Sequence, residues 1–406
     1  IGVSGNDAYL QLPADRLKVA ERFEYQIAHC DSTGCTSSAI KTDRVNAALA
    51  AGPRAGATQL PFTVGDGISA QLDIGSGNLM VTVNAFNLPR RSAAPIAVGL
   101  AYNSVTGLST ANFAGSLGSK STAWRLSTGS DIRLRHVAGH GAVVYYGDDG
   151  LTGAFLPNAA SPGTYTSPAG FKLDLTSDAA NGWTLRDRVT AEQRHFDASG
   201  RLVDTQDRNG NKVTFSYTAE GALSAITTDV GPADARKLEV TTAGTGVGRI
   251  TKLTQRATDA SGAAISRAVS FTYDTSNRLT GMTDLLGRTT GFAYGTNNVL
   301  KTVTAPGGAA TSFTYDSNFR LVSVAQPTAD GSTALTRVDY RSWGADVAGP
   351  NTDPAVAVVD APHTRYHVDT AGMLLVAKTT DPAGVVTAAT YTAALDVASE
   401  TANGGT

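Results

Sequence analysis

Only two of the 406 residues are cysteines, too few for a structural metal site, which takes about four ligands. Charge is scarce as well. The 33 Lys and Arg residues face 35 Asp and Glu, and the net charge of −2 offers no broad electrostatic footprint for nucleic acid. No apolar run reaches the roughly 18 residues that span a bilayer. No charged-then-apolar signal segment follows Ile1, which reads as an internal or processed piece of a longer product. There is no Gly-x-Ser-x-Gly elbow to present a serine nucleophile, and neither cysteine has the setting of a catalytic thiol. Paired carboxylates could still serve a glycosidase, but many acids, among them Asp197, Asp274 and Asp316, fall at turn positions. The expectation is a segment with no catalytic residues, no metal and no cofactor.

What is abundant is glycine, 43 residues, together with Thr, Asp and Asn and a 41% hydrophobic content. Glycine supplies the positive φ that tight turns need, so the composition favours short strands joined by turns over a substantial core. The alternation in Phe23-Glu24-Tyr25-Gln26-Ile27-Ala28-His29-Cys30 reads as a strand, and a second strand follows around Thr36 to Lys41. Between them Cys30 and Cys35 bracket a four-residue turn, which favours a disulfide across the hairpin over free thiols. An oxidised pair implies an extracytoplasmic compartment. Residues 46–59, rich in Ala and Gly with Pro53, read as a linker.

The decisive signal is a repeat, which dictates architecture before any local motif does. Phe271-Thr272-Tyr273-Asp274, Phe292-Ala293-Tyr294-Gly295 and Phe313-Thr314-Tyr315-Asp316 are each followed by a leucine, Leu279, Leu300 and Leu321, so the pattern recurs every 21 residues. Phe196 with Leu202 and Tyr217 with Leu223 keep the same offset, and a looser copy runs from Tyr366-His367-Val368-Asp369 to Tyr391. In Phe-x-Tyr both rings lie on one face of a strand, because strand side chains alternate. Each unit is then a hairpin with an aromatic face. A lone hairpin is marginal in water, so successive hairpins are expected to pair edge to edge into one long coiled sheet, with the tyrosines stacking along it. The stretch from Gly231 to Arg267 interrupts the period.

Other motifs favour bland readings. His363 and His367, four apart on a strand, would stand roughly 13 Å apart, too far for one metal; His136 and His140 fall to the same argument. Asp207-Arg208-Asn209-Gly210-Asn211 lacks the rest of a calcium loop, and Gly75-Ser76-Gly77-Asn78 lacks the lysine and helix of a phosphate cradle, so both read as turns. Trp124, Trp183 and Trp343 read as core or interface residues, and the repeat tyrosines as sheet packing, with sugar stacking the alternative.

Tyr273-Asp274 with Asn277-Arg278-Leu279, and Phe196-Asp197 with Gly200-Arg201-Leu202, resemble the Tyr-Asp-x-x-Gly-Arg-Leu unit of the YD-repeat or Rhs family. Upstream, Gly75-Ser76-Gly77-Asn78-Leu79, Asn87-Leu88-Pro89, Leu100-Ala101-Tyr102-Asn103-Ser104, Trp124-Arg125-Leu126 and Tyr146-Gly147-Asp148-Asp149-Gly150 stand in the order seen near the start of Rhs repeat regions. Tyr25-x-Ile27-x-x-Cys30 and Ser32-Thr33-Gly34-Cys35 resemble the last two strands of a fibronectin type III domain. These resemblances imply an all-β chain: a fibronectin III-like fragment over 1–45, the linker 46–59, a lead-in β region over 60–190 and a YD-repeat β-spiral over 191–406. They also imply a secreted or cell-surface bacterial scaffold, a shell around a C-terminal effector domain of the same polypeptide. The alternatives are a glycan-binding adhesin or a subunit of an extended assembly. A cell-surface glycan or protein is a further partner, and neither nucleic acid nor a membrane span is expected. Asp381-Pro382-Ala383-Gly384-Val385 approaches the self-cleaving element of such shells but carries valine for leucine and sits at a repeat turn.

Overall fold

Short runs of alternating apolar and polar residues, broken every five to ten positions by a turn, leave the backbone little choice but extended strands. The computed structural model describes residues 51–88, 96–108, 116–117, 124–137, 141–178, 182–229, 236–244, 248–258, 261, 263–369 and 374–403, with the backbone of short strands between Gly2 and Arg44. No α-helix occurs among the described residues, whose helical pieces are the 3-10 turns Ser104–Leu108, Gly129–Asp131 and Thr296–Asn298.

Among the described residues two large sheets carry the architecture. Gln59–Gly65, Ile68–Asp73, Leu79–Leu88, Ile96–Asn103 and Trp124–Leu126 form a five-stranded antiparallel meander. From Arg133–His136 to Val397–Asn403 a second sheet of 24 strands follows strictly in chain order. Its first and last strands are not neighbours, so the sheet is unclosed.

The repeat explains how this wall bends. Thr289–Tyr294 and Ala310–Tyr315 have the same burial pattern, with Thr290, Phe292, Thr311 and Phe313 turned inward. Immediately before Phe196, Tyr217, Tyr273, Tyr294, Tyr315 and Tyr391 the pairing register slips. A bulge bends its strand and adds right-handed twist, and the same bulge repeated hairpin after hairpin curls the sheet. The curl brings distant turns together: Lys172 Nζ lies 2.7 Å from Asp396 Oδ1, and a Cβ on Gly170 would stand 3.1 Å from the Leu395 side chain.

The five-stranded sheet occupies the concave side. Leu72, Tyr102 and Trp124 from it share one hydrophobic core with Phe292, Leu300 and Phe313 of the wall. Leu202, Leu279, Leu300 and Leu321 are completely buried.

Several expectations meet a different arrangement. The residues read as interrupting the period carry three wall strands, Arg236–Ala243, Arg249–Thr258 and Ala264–Tyr273, paired in order. Backbone pairing therefore survives where side-chain periodicity fails. The lead-in stretch 60–190 is split between the two sheets, because every strand from Arg133 onward joins the wall. Within the stretch read as a linker, Ala51 and Arg54 are buried. In the N-terminal part, Arg22–Tyr25 pairs with Lys41–Arg44 and Ala28–Asp31 with Gly34–Ser37. The rest of the fibronectin-like fragment lies outside the described residues.

Candidate functional site

Four hairpins of the wall are closed by the same side-chain relay. Asp274 Oδ1 accepts the backbone N–H groups of Ser276 and Arg278, both at 2.9 Å, and Oδ2 takes Arg278 Nε at 2.7 Å. Asp197, Asp284 and Asp316 repeat the arrangement with Arg201, Arg288 and Arg320. Partial burial opposes the charge of Asp274, yet the backbone N–H and guanidinium donors of Arg278 prevail and hold its carboxyl below the usual range. The turn needs a left-handed residue, and Gly200, Asn277 and Phe319 fill that place at φ 77°, 60° and 59°. Phe319, standing where glycine is expected, adopts it against its Cβ.

The arginine then reaches the next hairpin. Arg201, Arg278 and Arg320 lie over the rings of Tyr217, Tyr294 and Tyr340 at 5.4, 5.1 and 4.2 Å, each a cation–π contact. The tyrosine hydroxyls donate backwards to main-chain carbonyls: Tyr217 to Leu202, Tyr273 to Ile250, Tyr294 to Leu279, Tyr315 to Leu300 and Tyr391 to Val376. Burial pushes the hydroxyls of Tyr217, Tyr273, Tyr294 and Tyr315 above their ordinary pKa. The tyrosines are thus rivets between hairpins. Stacking along the sheet was the expectation, but at Tyr217, Tyr273, Tyr294 and Tyr340 the ring's neighbour is an arginine instead.

Tyr294 also holds the inner sheet. Trp124 Nε1 donates to Tyr294 Oη at 3.0 Å, and its ring lies 4.8 Å from that of Phe292. Leu300 N donates to Tyr102 Oη at 3.0 Å, and Leu321 N to the Gly77 carbonyl at 2.9 Å. Gly75-Ser76-Gly77-Asn78 is a turn pressed against the wall: a Cβ on Gly75 would lie 1.8 Å from Leu374 O, and one on Gly77 2.5 Å from Arg320 Cβ.

The remaining lead-in motifs converge on Asn103. Its Oδ1 accepts Gly52 N at 2.8 Å and Asn78 Nδ2 at 2.7 Å, and its Nδ2 donates to the Asp149 carbonyl at 2.8 Å. Beside it Arg54 Nε and Nη2 grip Asp73 at 2.8 and 2.9 Å, both side chains buried, while Asp73 Oδ1 also accepts Gly75 N and Ser76 N. Burial, with the neighbouring Asp148 charge, pushes the Asp149 carboxyl up to about 6.

The other candidates hold structural posts. Asp207 and Asp381 cap their own turns, Asp381 Oδ1 accepting Ala383 N and Val385 N. His363 Nδ1 lies 2.8 Å from the Ala361 carbonyl, and His367 stacks 4.6 Å from Trp343. His136 is exposed, and His140 lies outside the described residues. Among the described residues no three His, Cys, Asp or Glu side chains gather as a metal site. Cys35 is disulfide-bonded, and the strand register sets Cys30 opposite it. Sequence reasoning missed the arginine relay and the Asn103 hub. The Arg at a fixed place after each Asp was visible as spacing, but its partner one hairpin on was not.

Residues 196–233 match the family model described as RHS Repeat. That stretch carries an RHS-type repeat. It contains the Asp197–Arg201–Tyr217 relay. Among solved structures it is similar to TcdB2-TccC3 without the hypervariable C-terminal region, with 10% identity over 94% of this chain and 25% of that one and a TM-score of 0.33. It is also similar to a Photorhabdus luminescens Tc holotoxin pore carrying a TccC3 mutation, with 12% identity over 85% and 20% and a TM-score of 0.30. The chain thus spans about a quarter or less of the solved chains it matches. No curated protein matches it.

Proposed function

We propose that this segment is the closed end of a secreted, non-catalytic RHS-type shell that encloses a C-terminal effector supplied by the same polypeptide. The observation that carries the reading is the filled concavity. The wall curls until residues 170–172 meet 395–396, and the five-stranded sheet occupies the space inside, riveted through Trp124 and Tyr102. A coiled sheet with its hollow stoppered at one end suits containment, and its hydrophobic groups are consumed in its own core. The hairpin that pairs Cys30 with Cys35 would be oxidised in such an extracytoplasmic protein.

Limited proteolysis of the full-length polypeptide tests this. The C-terminal effector region should resist protease while the wall is folded and be cut rapidly once the wall is melted. Equal digestion of that region in both states would remove the basis for enclosure.

A further inference from the structure

A cavity lies on the wall at its first strand, beside the Asp197–Arg201 turn and apart from the Asn103 hub. Its volume is about 670 Å³, within the range of small-molecule sites. It forms where the wall doubles back: Arg133 bridges to Arg201, and Leu134 N donates to the Gly200 carbonyl at 2.9 Å. Two lengths of the sheet far apart in sequence therefore make its sides, fixed by backbone hydrogen bonds.

Its lining is unbalanced in charge. Arg133 and Arg135 face it with His136 and with Arg201, which is paired with Asp197, and the acids are Glu220 and Asp131. Asp131 offers little countercharge. It is fully buried, its oxygens accept Ser116 N, Ser116 Oγ and Leu126 N at 2.8, 2.7 and 2.6 Å, and burial pushes its pKa up. Burial, with the nearby charges of Arg125 and Arg135, brings the Arg133 guanidinium down to about 10 even though it lies over the Tyr146 ring at 5.6 Å. Half-buried Trp183 completes the wall of the cavity, and its indole N–H is buried with no hydrogen-bond acceptor. An orphaned buried donor costs about 1–3 kcal/mol, which a ligand oxygen in the cavity would recover.

We propose that this cavity binds an acidic saccharide, a sugar ring carrying sulfate or carboxylate. The guanidinium forks of Arg133 and Arg135 match the paired oxygens of either anion. The flat apolar face and free N–H of Trp183 suit a ring bearing hydroxyls, where a bare ion would use neither. The site does not depend on the shell reading, since an enclosing wall and a receptor site can coexist on one sheet.

Calorimetric titration of the intact protein with a sulfated heparin disaccharide, sialyllactose, lactose and sodium sulfate tests it. Saturable binding of one or both acidic sugars is expected, the heparin disaccharide alone assigning sulfate and sialyllactose alone assigning carboxylate, with lactose and free sulfate much weaker. Arg135→Ala, at an exposed position, should weaken the acidic sugar by about tenfold or more with unchanged thermal unfolding, while Arg256→Ala, an exposed arginine elsewhere, should bind as the parent does. Sodium sulfate binding as tightly as the sugars would reduce the site to an ion site and overturn the proposal. Equal binding by parent and Arg135→Ala, or no saturable binding by either acidic sugar, would overturn it as well.

Discussion

The wall and the inner sheet are both antiparallel meanders, yet they are held together on opposite principles. The wall repeats one solution: an Asp-capped turn, an arginine laid over the next tyrosine, a hydroxyl sent back to a carbonyl, a leucine sealed inside. Each contact is modest and partly exposed, and its neighbours duplicate it. The inner sheet has contacts that occur once, namely the buried Arg54–Asp73 pair, the Asn103 hub and the Trp124–Tyr294 bond. A redundant structure tolerates the loss of one unit, whereas a unique one does not.

The largest difference should therefore appear when an aspartate is removed from each region. Asp73→Ala strands the buried Arg54 guanidinium and is expected to cost about 3–5 kcal/mol. Asp316→Ala removes a turn cap and a partly exposed ion pair and should cost about 1 kcal/mol. Urea unfolding midpoints of the two variants check this, and equal losses would erase the proposed distinction.

The same asymmetry explains what the sequence revealed. The wall was legible because its period places Tyr273, Tyr294 and Tyr315 in one register, and periodicity is what a linear reading detects best. The inner sheet was not, because Asn103 gathers partners 51, 25 and 46 residues away, and no local pattern encodes such a meeting. The stretch from Gly231 to Arg267 misled for a related reason. Its backbone pairs like any hairpin while its side chains abandon the aromatic pattern, and sequence shows only the side chains. The acidic-saccharide cavity joins residues 133–136 to 198–201, and only the curl of the wall makes them neighbours.

The Asn103 hub, through Asp149, should also answer to pH, which the relay turns should do in the opposite sense. Asp149 has a folded pKa raised to about 6, so the native state holds a proton that the unfolded chain has lost. That group's contribution is full below about pH 4 and disappears as pH rises through about 6. Relay carboxylates such as Asp274 and Asp284 are lowered, so theirs is present above about pH 4 and lost in stronger acid. Asp149→Asn, neutral throughout, should gain about 2 kcal/mol relative to the parent between pH 4 and pH 7.5. Unfolding curves at the two pH values measure it, and a constant offset would place the Asn103 hub outside acid control.

Within the wall, the tyrosines that touch the inner sheet should outweigh those that do not. Tyr217→Phe loses one bond, to the Leu202 carbonyl, for about 1 kcal/mol. Tyr294→Phe also leaves the buried Trp124 indole without its acceptor and should cost about 2 kcal/mol. Matched losses by thermal unfolding would mean that the contact with the inner sheet contributes nothing beyond the repeat.

The smallest effect isolates the backbone alone. Ala191 closes its hairpin in the left-handed region at φ 61°, its N–H donating to the Asp187 carbonyl at 3.0 Å. Gly287 closes another at φ 77° with open space where a Cβ would lie. Since only the Cβ penalty differs, Ala191→Gly should stabilise the protein and Gly287→Ala destabilise it, each by about 0.5–1 kcal/mol. Two shifts of similar size and opposite sign in the melting temperature would show that the wall's turns are interchangeable. A loss in Ala191→Gly would mean that this hairpin depends on its own side chain, as the unique contacts of the inner sheet do.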